Sequence, residues 1–259
     1  MSNYAYCRNG LRLEALSALN PYLVMVRISG YGQTGPRREM PGFAAIAEGM
    51  GGLRHVTGYP DLPPVRTGVS IGDMLASLYG MVGALMALHS VKVNGGLGQV
   101  VDVALYEAVF AVMESLIPEY SVQGEVRGRT GSSLPGVSPS NTYLCGDGSY
   151  VIIGANGDAL FQRLMVAIGR QDLAADPALA HNDGRVARND ELDKAIGEWT
   201  SQHNIAEVMR QLELAAVPVG KSFTAADIYH DEHYRARQML EEYQLPHDGP
   251  KVTIPGIVP

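Results

Sequence analysis

The segment that most constrains the fold is an almost unbroken apolar run from Met74 to Leu88, interrupted only by Ser77, Gly80 and Gly83. Its 15 residues fall short of the roughly 20 that a membrane span needs, so the run predicts a buried helix. Apolar residues at 74, 75, 78, 81, 82, 85, 86 and 88 form a wide face at helical spacing, and Asp73 stands where an N-cap is expected. A helix from Asp73 to Ser90 needs other layers to pack on.

The flanking segments provide such layers. Asn20-Pro21 is a turn signal, and Tyr22 to Ser29 is β-branched, of strand length and ends at Gly30. Phe43 to Met50 reads as a helix stopped by Gly51-Gly52. Gln99 to Val103 reads as a short strand running into a helix from Ala104 to Leu116 that Pro118 closes. Alternation of this kind predicts α/β packing. From Glu119 to Ser140, Gly, Ser, Pro and Arg dominate and no apolar period survives, as in a linker or a functional loop. Beyond it, Thr142 to Cys145 and Ser149 to Ile153 flank Gly146-Asp147-Gly148 as a hairpin. Helices are expected over 158–168, 189–201, 205–216 and 227–242, and the proline-rich stretch from Leu245 to Pro259 reads as a strand-like segment cut short.

Composition narrows the class. The 259 residues correspond to about 1.7 average domains, and 46% apolar against 18% charged residues excludes a disordered chain. A net charge of −7 and a pI near 5.5 argue against nucleic acid as a partner. Cys7 and Cys145 show neither CxxC spacing nor a nearby His pair, so no disulfide framework or metal site is expected. The first ten residues lack a basic flank and an apolar core. A cytoplasmic protein without a membrane segment is the expectation. Glycine, at 30 residues, is enriched and clusters over 30–98 and 124–157.

Few residues are placed to carry chemistry. Asp73 is either a plain helix cap or a carboxylate nucleophile whose ionised form the helix N-terminus favours. The turn Gly30-Tyr-Gly-Gln-Thr-Gly35-Pro-Arg37-Arg38 is either a cradle for phosphate or carboxylate or a turn with a solvated basic tip. It is neither a Walker A loop nor a GxGxxG fingerprint. Gly131-Ser-Ser-Leu-Pro-Gly136 is either a linker or a lid. His230 and His233 belong to a charged, solvated face, Glu114 and Glu119 lack the signature of an acid/base pair, and Cys145 reads as a small buried apolar residue.

Several of these motifs occur together and in order. Ile28-Ser-Gly-Tyr-Gly-Gln-Thr-Gly-Pro36, Pro41-Gly-Phe43 with Gly51-Gly52, Thr57-Gly58 with Pro63-Pro64 and Gly72-Asp73, and Gly96-Leu-Gly-Gln-Val-Val-Asp-Val103 resemble the family III CoA-transferases of the CaiB/BaiF type. So do Asn141-Thr-Tyr, Gly154-Ala-Asn-Gly-Asp158 and Asp176-Pro177 with Asn182 and Arg185; the likeness runs from about Gly10 to about Leu240. It implies an α/β fold: the latter part of a Rossmann-like large domain (1–118), a linker or lid (119–140), a small α+β domain (141–240) and a C-terminal segment returning towards the large domain (241–259). It also implies transfer of coenzyme A from an acyl-CoA thioester to an acceptor carboxylate. Asp73 would form covalent aspartyl intermediates, with Arg37, Arg38, Gly131 and Gly136 around the CoA substrate and no permanently bound cofactor.

The racemase branch of the family uses a His and an acid where this chain has Phe43 and Ala44, so transferase chemistry is favoured. A Rossmann-like half would precede Gly10 in family members, and the C-terminal return is missing. The resemblance therefore predicts a chain shortened at both ends, acting as a homodimer or pairing with a separate N-terminal half. The alternative is a catalytically impaired assembly partner.

Overall fold

The structure, a computed structural model, describes residues 13–258, and the chain divides into two compact units at Ser132/Ser133. Cys7 lies outside the described residues.

The first unit holds α1 (Leu13–Leu19), β1 (Met25–Ser29), α2 (Ala44–Met50), α3 (Leu53–Val56), α4 (Ile71–Asn94), β2 (Val100–Ala104), α5 (Leu105–Phe110) and α6 (Leu116–Gln123). β1 and β2 pair in parallel, Met25 opposite Val100 and Ser29 opposite Ala104. α4 crosses this pair on a stripe of small residues. A Cβ added at Gly83 would come within 2.5 Å of Val101 Cγ1, and one at Gly80 within 3.2 Å of Val26 Cγ1. Glycine at these two turns is what lets a helix backbone approach the strands so closely. The core beneath is correspondingly small: Ala47, Ala76, Val103, Leu105 and Ala108.

Two expectations fail in this unit. α4 is longer than its apolar run suggested, and it is not buried. Only Gly72, Ala76, Gly80 and Ala87 are buried, while Met74, Leu78, Met81, Val82, Leu85 and Met86 are exposed. Apart from Leu75, which packs on the core, most residues read as a core face therefore point to solvent, and the small residues make the closest packing. Pro118 begins a helix instead of ending one. α5 stops at Phe110, Glu114 turns the chain with φ 52°, and Pro118 sits in the first turn of α6, where its missing N–H costs nothing.

The second unit holds β3 (Ser140–Leu144), β4 (Tyr150–Gly154), α7 (Asp158–Ala167), α8 (Gln171–Ala174), a 3₁₀ turn (Pro177–Leu179), α9 (Asn182–Ala187), α10 (Asn189–Thr200), α11 (Ile205–Leu214), β5 (Val219–Lys221), α12 (Ala225–His230), α13 (Glu232–Ala236), β6 (Leu240–Gln244) and β7 (Lys251–Pro255). β3, β4 and β5 form an antiparallel sheet. Val151 and Ile153 meet Phe161, Leu164, Leu192 and Leu212 in a closed core. Cys145 is buried beside them, and burial pushes its thiol pKa up.

The helix expected over 227–242 is replaced by two short helices and a strand. Thr224 and Asp227 form a capping box that starts α12, and Asp231 then caps α13 through the Tyr234 N–H, which breaks the helix between them. Leu240 to Gln244 pairs antiparallel with β7, so the segment from Leu245 onwards is the return arm of a hairpin, its turn made by Pro246 to Pro250.

Arg185 ties the second unit together. It is fully buried, and its guanidinium donates to the carbonyls of Ser138 (3.0 Å), Leu179 (3.1 Å), Ala180 (3.1 Å) and Asn156 (2.7 Å) and to Asp158 Oδ1 (2.8 Å). It also lies over the Phe161 ring at 5.1 Å. Five donors in a planar fork match this set, which a lysine cannot do. Arg185→Met is expected to destabilise the second unit by about 4 kcal/mol, because four carbonyls lose their donor and Asp158 its cation. Arg185→Lys should recover little, and urea unfolding followed by circular dichroism measures both.

Acid should weaken the same unit. Arg185 and His181 hold the Asp158 carboxyl below its ordinary value, Arg170 holds Asp172 down to about 2, Arg210 holds Glu207 down to about 2, and Arg188 lowers Asp176 and Glu191. Depressed carboxyls stabilise the fold above their unfolded values, near 3.8 for Asp and 4.5 for Glu, and lose that contribution as pH falls towards 2. Melting temperatures measured from pH 6 to pH 2 should fall steeply only below about 4.5.

Candidate active site

Asp73 is the third residue of α4. Ser70 is the N-cap residue, so the expectation that Asp73 caps the helix is corrected by three positions. The carboxylate stands in the first turn, among N–H groups that lack intrahelical partners. It is exposed and makes no hydrogen bond among the described residues; only its backbone carbonyl is engaged, by Ser77 Oγ at 2.8 Å. A carboxylate left free at the positive end of a 24-residue helix can accept a donor or attack an electrophile.

The surroundings fix where that helix starts. A Cβ at Gly72 would meet Ala44 and Val109 side chains at 3.5 and 3.4 Å, so the first turn of α4 rests on the first turn of α2. Arg66 donates to Ser70 Oγ at 2.9 Å and brings a cation to the same helix end. Sequence reading passed over Arg66, because a lone arginine in a turn-rich stretch carries no spacing signal.

The other predicted residues lie at different places. Arg37 reaches Met50 Sδ at 3.5 Å, at the far end of α2 from Asp73, and Arg38 pairs with Glu39 at 3.4 Å in the exposed turn after β1. That turn is held by Gln33 N–H donating to Asp102 Oδ2 (2.9 Å) and Gly32 N–H donating to Ser29 Oγ (3.0 Å). Gly131 belongs to the first unit and Gly136 to the second. Gly131 has φ 67°, its N–H donates to the Gly58 carbonyl at 2.9 Å, and a Cβ there would fall 2.7 Å from the Tyr59 ring. Two residues earlier, the Arg129 guanidinium binds the carbonyls of His55, Tyr59 and Pro60. The Gly136 carbonyl accepts from Asn182 Nδ2 at 2.8 Å.

The structure also shows an acid that the sequence did not single out. Glu48 on α2, one turn beyond Ala44, is fully buried. Its Oε2 accepts from Arg54 Nε at 2.9 Å, while its Oε1 is buried with no partner among the described residues. The available signal was a single acid in the helix Ala44–Met50 with an arginine six residues on. Glu114 and Glu119 both pair with Arg127, which holds the Glu119 carboxyl below its ordinary value. His230 and His233 are exposed on two successive short helices. Among the described residues no group of three His, Cys, Asp or Glu side chains is placed to hold a metal ion.

Comparison with known proteins gives this fold a family. The model of CoA-transferase family III matches residues 2–259, and the chain belongs to that family. It is 46% identical over 250 residues to the succinyl-CoA–D-citramalate CoA-transferase of Chloroflexus aurantiacus, a match covering 96% of this chain and 62% of that one. The alpha subunit of the succinyl-CoA–L-malate CoA-transferase of Chloroflexus aurantiacus is 38% identical over 251 residues, covering 96% of this chain and 58% of the relative. A CaiB/BaiF family protein from Brucella suis superposes with a TM-score of 0.80 at 32% identity, covering 93% of this chain and 63% of that structure. The α/β fold is thus that of the family III CoA-transferases. The chain spans about six-tenths of the length of these relatives.

Burial makes the Glu48–Arg54 pair a structural tie between α2 and α3. Arg54→Ala should cost about 3 kcal/mol, since it leaves a buried carboxylate without its cation. Adding Glu48→Leu should return most of that loss, and a double-mutant cycle by urea denaturation reads the coupling.

Proposed function

We propose that the protein moves coenzyme A from an acyl-CoA thioester to a second carboxylic acid, with Asp73 as the nucleophile. The observation that carries this reading is the free, exposed Asp73 carboxylate in the first turn of α4, in a chain 46% identical to a CoA-transferase. In the first step an Asp73 oxygen attacks the thioester carbonyl, the C–S bond breaks, and CoA leaves as thiolate with an acyl–aspartyl anhydride behind it. The thiolate then attacks the Asp73 carbonyl carbon, releasing the donor acid and leaving an aspartyl–CoA thioester. The acceptor carboxylate attacks that thioester, and the returning thiolate takes the acceptor acyl group, which regenerates Asp73. One thioester is lost and one gained, so the reaction is close to balanced provided water stays out.

The helix N-terminus stabilises the carboxylate before attack and offers N–H groups to the oxyanion that forms on it. Arg37 and Arg38 are proposed to meet the anionic CoA moiety, and the Gly131–Gly136 loop to close over it. Phe43 and Ala44 can move no proton at neutral pH, which disfavours racemase chemistry. The relatives' names point to succinyl-CoA as donor and a small dicarboxylic acid, such as citramalate or malate, as acceptor. The free Cys145 thiol fits a reducing cytoplasmic setting. A second reading, in which the chain acts only with another copy or a separately supplied polypeptide, is favoured by relatives named as alpha and beta subunits of an L-malate CoA-transferase.

Incubation with succinyl-CoA and mass spectrometry of the Asp73 peptide should reveal the aspartyl–CoA adduct. Asp73→Asn should abolish both adduct and transfer, by roughly 10³-fold or more, with an unchanged melting temperature. Transfer retained in a folded Asp73→Asn variant would refute the assignment.

A further inference from the structure

The start of α4 has the sequence of a capping box and does not form one. Ser70 is the N-cap residue and Asp73 the third residue of the helix. At this spacing a cap hydroxyl accepts from the N–H three residues on, while the acid reaches back to the N–H of the cap residue. Neither bond is made. Ser70 has no side-chain cap, and the exposed Asp73 carboxylate has no hydrogen bond among the described residues. The same spacing is closed at α12. There Thr224 Oγ1 accepts from the Asp227 N–H at 3.2 Å, and Asp227 Oδ2 accepts from the Thr224 N–H at 2.8 Å. A favourable closed form is therefore within reach of the Ser70–Asp73 sequence.

The two helix starts differ in what holds the cap residue. The N-cap residues whose side chains do cap, Asp176, Asn204, Thr224 and Asp231, have extended backbone with ψ from 115° to 169°. Ser70 has ψ 65°, and its hydroxyl accepts from Arg66 Nη2 at 2.9 Å instead. Ser70 Oγ is the only hydrogen-bond partner of Arg66 among the described residues. Arg66, Ser70 and Asp73 are all exposed, and a Cβ at Gly68 would meet nothing within 4 Å. The segment therefore has room to turn Ser70 onto the helix, and the Arg66 bond is what opposes that turn.

We propose that Arg66 is a positioning residue that holds the capping box of α4 open. With Ser70 Oγ on the guanidinium, the Asp73 carboxylate and the first-turn N–H groups stay unpaired and available to substrate. Closure would tie an Asp73 oxygen to the Ser70 N–H and give the Asp73 N–H to the Ser70 hydroxyl. The helix would gain the stability of its cap, and the carboxylate would lose the lone pair it needs for attack. The consequence for transfer rests on Asp73 being the nucleophile; the opening of the box does not.

Three forms of the chain test this: the unaltered protein, Arg66→Ala, and Arg66→Ala combined with Ser70→Ala. Melting temperature is read by calorimetry, and the rate of adduct formation on the Asp73 peptide with succinyl-CoA by mass spectrometry. In Arg66→Ala the box closes, so the melting temperature should rise by roughly 2–4 °C. The adduct should form roughly 5- to 10-fold more slowly, because only the open fraction can attack. Adding Ser70→Ala removes the cap hydroxyl, which should abolish the thermal gain and recover most of the adduct rate. A bond that merely braces the turn predicts a lower melting temperature in Arg66→Ala. A guanidinium that touches substrate directly predicts no recovery in the double variant. Either result overturns the proposal, as does an unchanged melting temperature in Arg66→Ala. If the unaltered chain forms no adduct while the melting temperatures follow the expected pattern, the nucleophile assignment fails and the opening of the box by Arg66 stands.

Discussion

Everything in the first unit depends on how closely α4 can lie on the β1–β2 pair. Gly83 against Val101 and Gly80 against Val26 leave no room for a methyl group without movement, so the helix axis is set by the absence of side chains. Once that distance is fixed, Gly72 seats the first turn against Ala44 on α2, and Asp73 emerges one residue later at the positive end of the helix dipole. The proposed nucleophile is thus positioned by glycine and alanine, without a side-chain hydrogen bond of its own among the described residues. A group left without partners keeps its lone pairs for an electrophile.

The second unit solves the opposite problem. Its elements are mostly short, and a buried cation helps to organise them. Arg185 gathers the segments at Ser138, Asn156 and Leu179–Ala180 onto one planar fork. Around it Asn182 bridges the Ser138 N–H and the Gly136 carbonyl, and Ser138 Oγ donates to Asn189 at 2.7 Å. The far end of the Gly131–Gly136 loop is therefore anchored by polar groups. Its near end is fixed by Arg129 on three carbonyls of the 55–60 segment. Two arginines, Arg129 on backbone carbonyls and Arg185 on backbone carbonyls and the Asp158 carboxylate, bracket the loop proposed to close over the substrate.

How much of this was legible in the sequence follows from the range of the forces involved. β1, β2, the β3–β4 hairpin and the helices α7, α10 and α11 were readable, because alternation, glycine turns and helical spacing are local and the tertiary structure agrees with them. The break at Asp231 and the β6–β7 hairpin were not. There the local helical composition of residues 227–242 lost to a capping aspartate and to pairing with a strand still to come in the chain. Glu48 and Arg185 carry their meaning only through partners that folding brings to them. Asp73 stood out because a helix start marks itself, although its place within the turn was off by three positions; its reading as a nucleophile came from the family resemblance and not from spacing.

The misreading of α4 is the most informative of these. Periodicity reports that two kinds of residue lie on two faces of a helix, and it says nothing of which face finds a partner first. The large residues were assigned to the core because burying Leu and Met yields more free energy than burying Ala and Gly, roughly 25 cal/mol per Å² of apolar surface. Within residues 13–258 the small face is the packed one, since a sheet can approach it closely enough for dispersion contacts along the backbone. The larger residues stay on the outer face, where Met74, Leu78, Met81, Leu85 and Met86 are exposed.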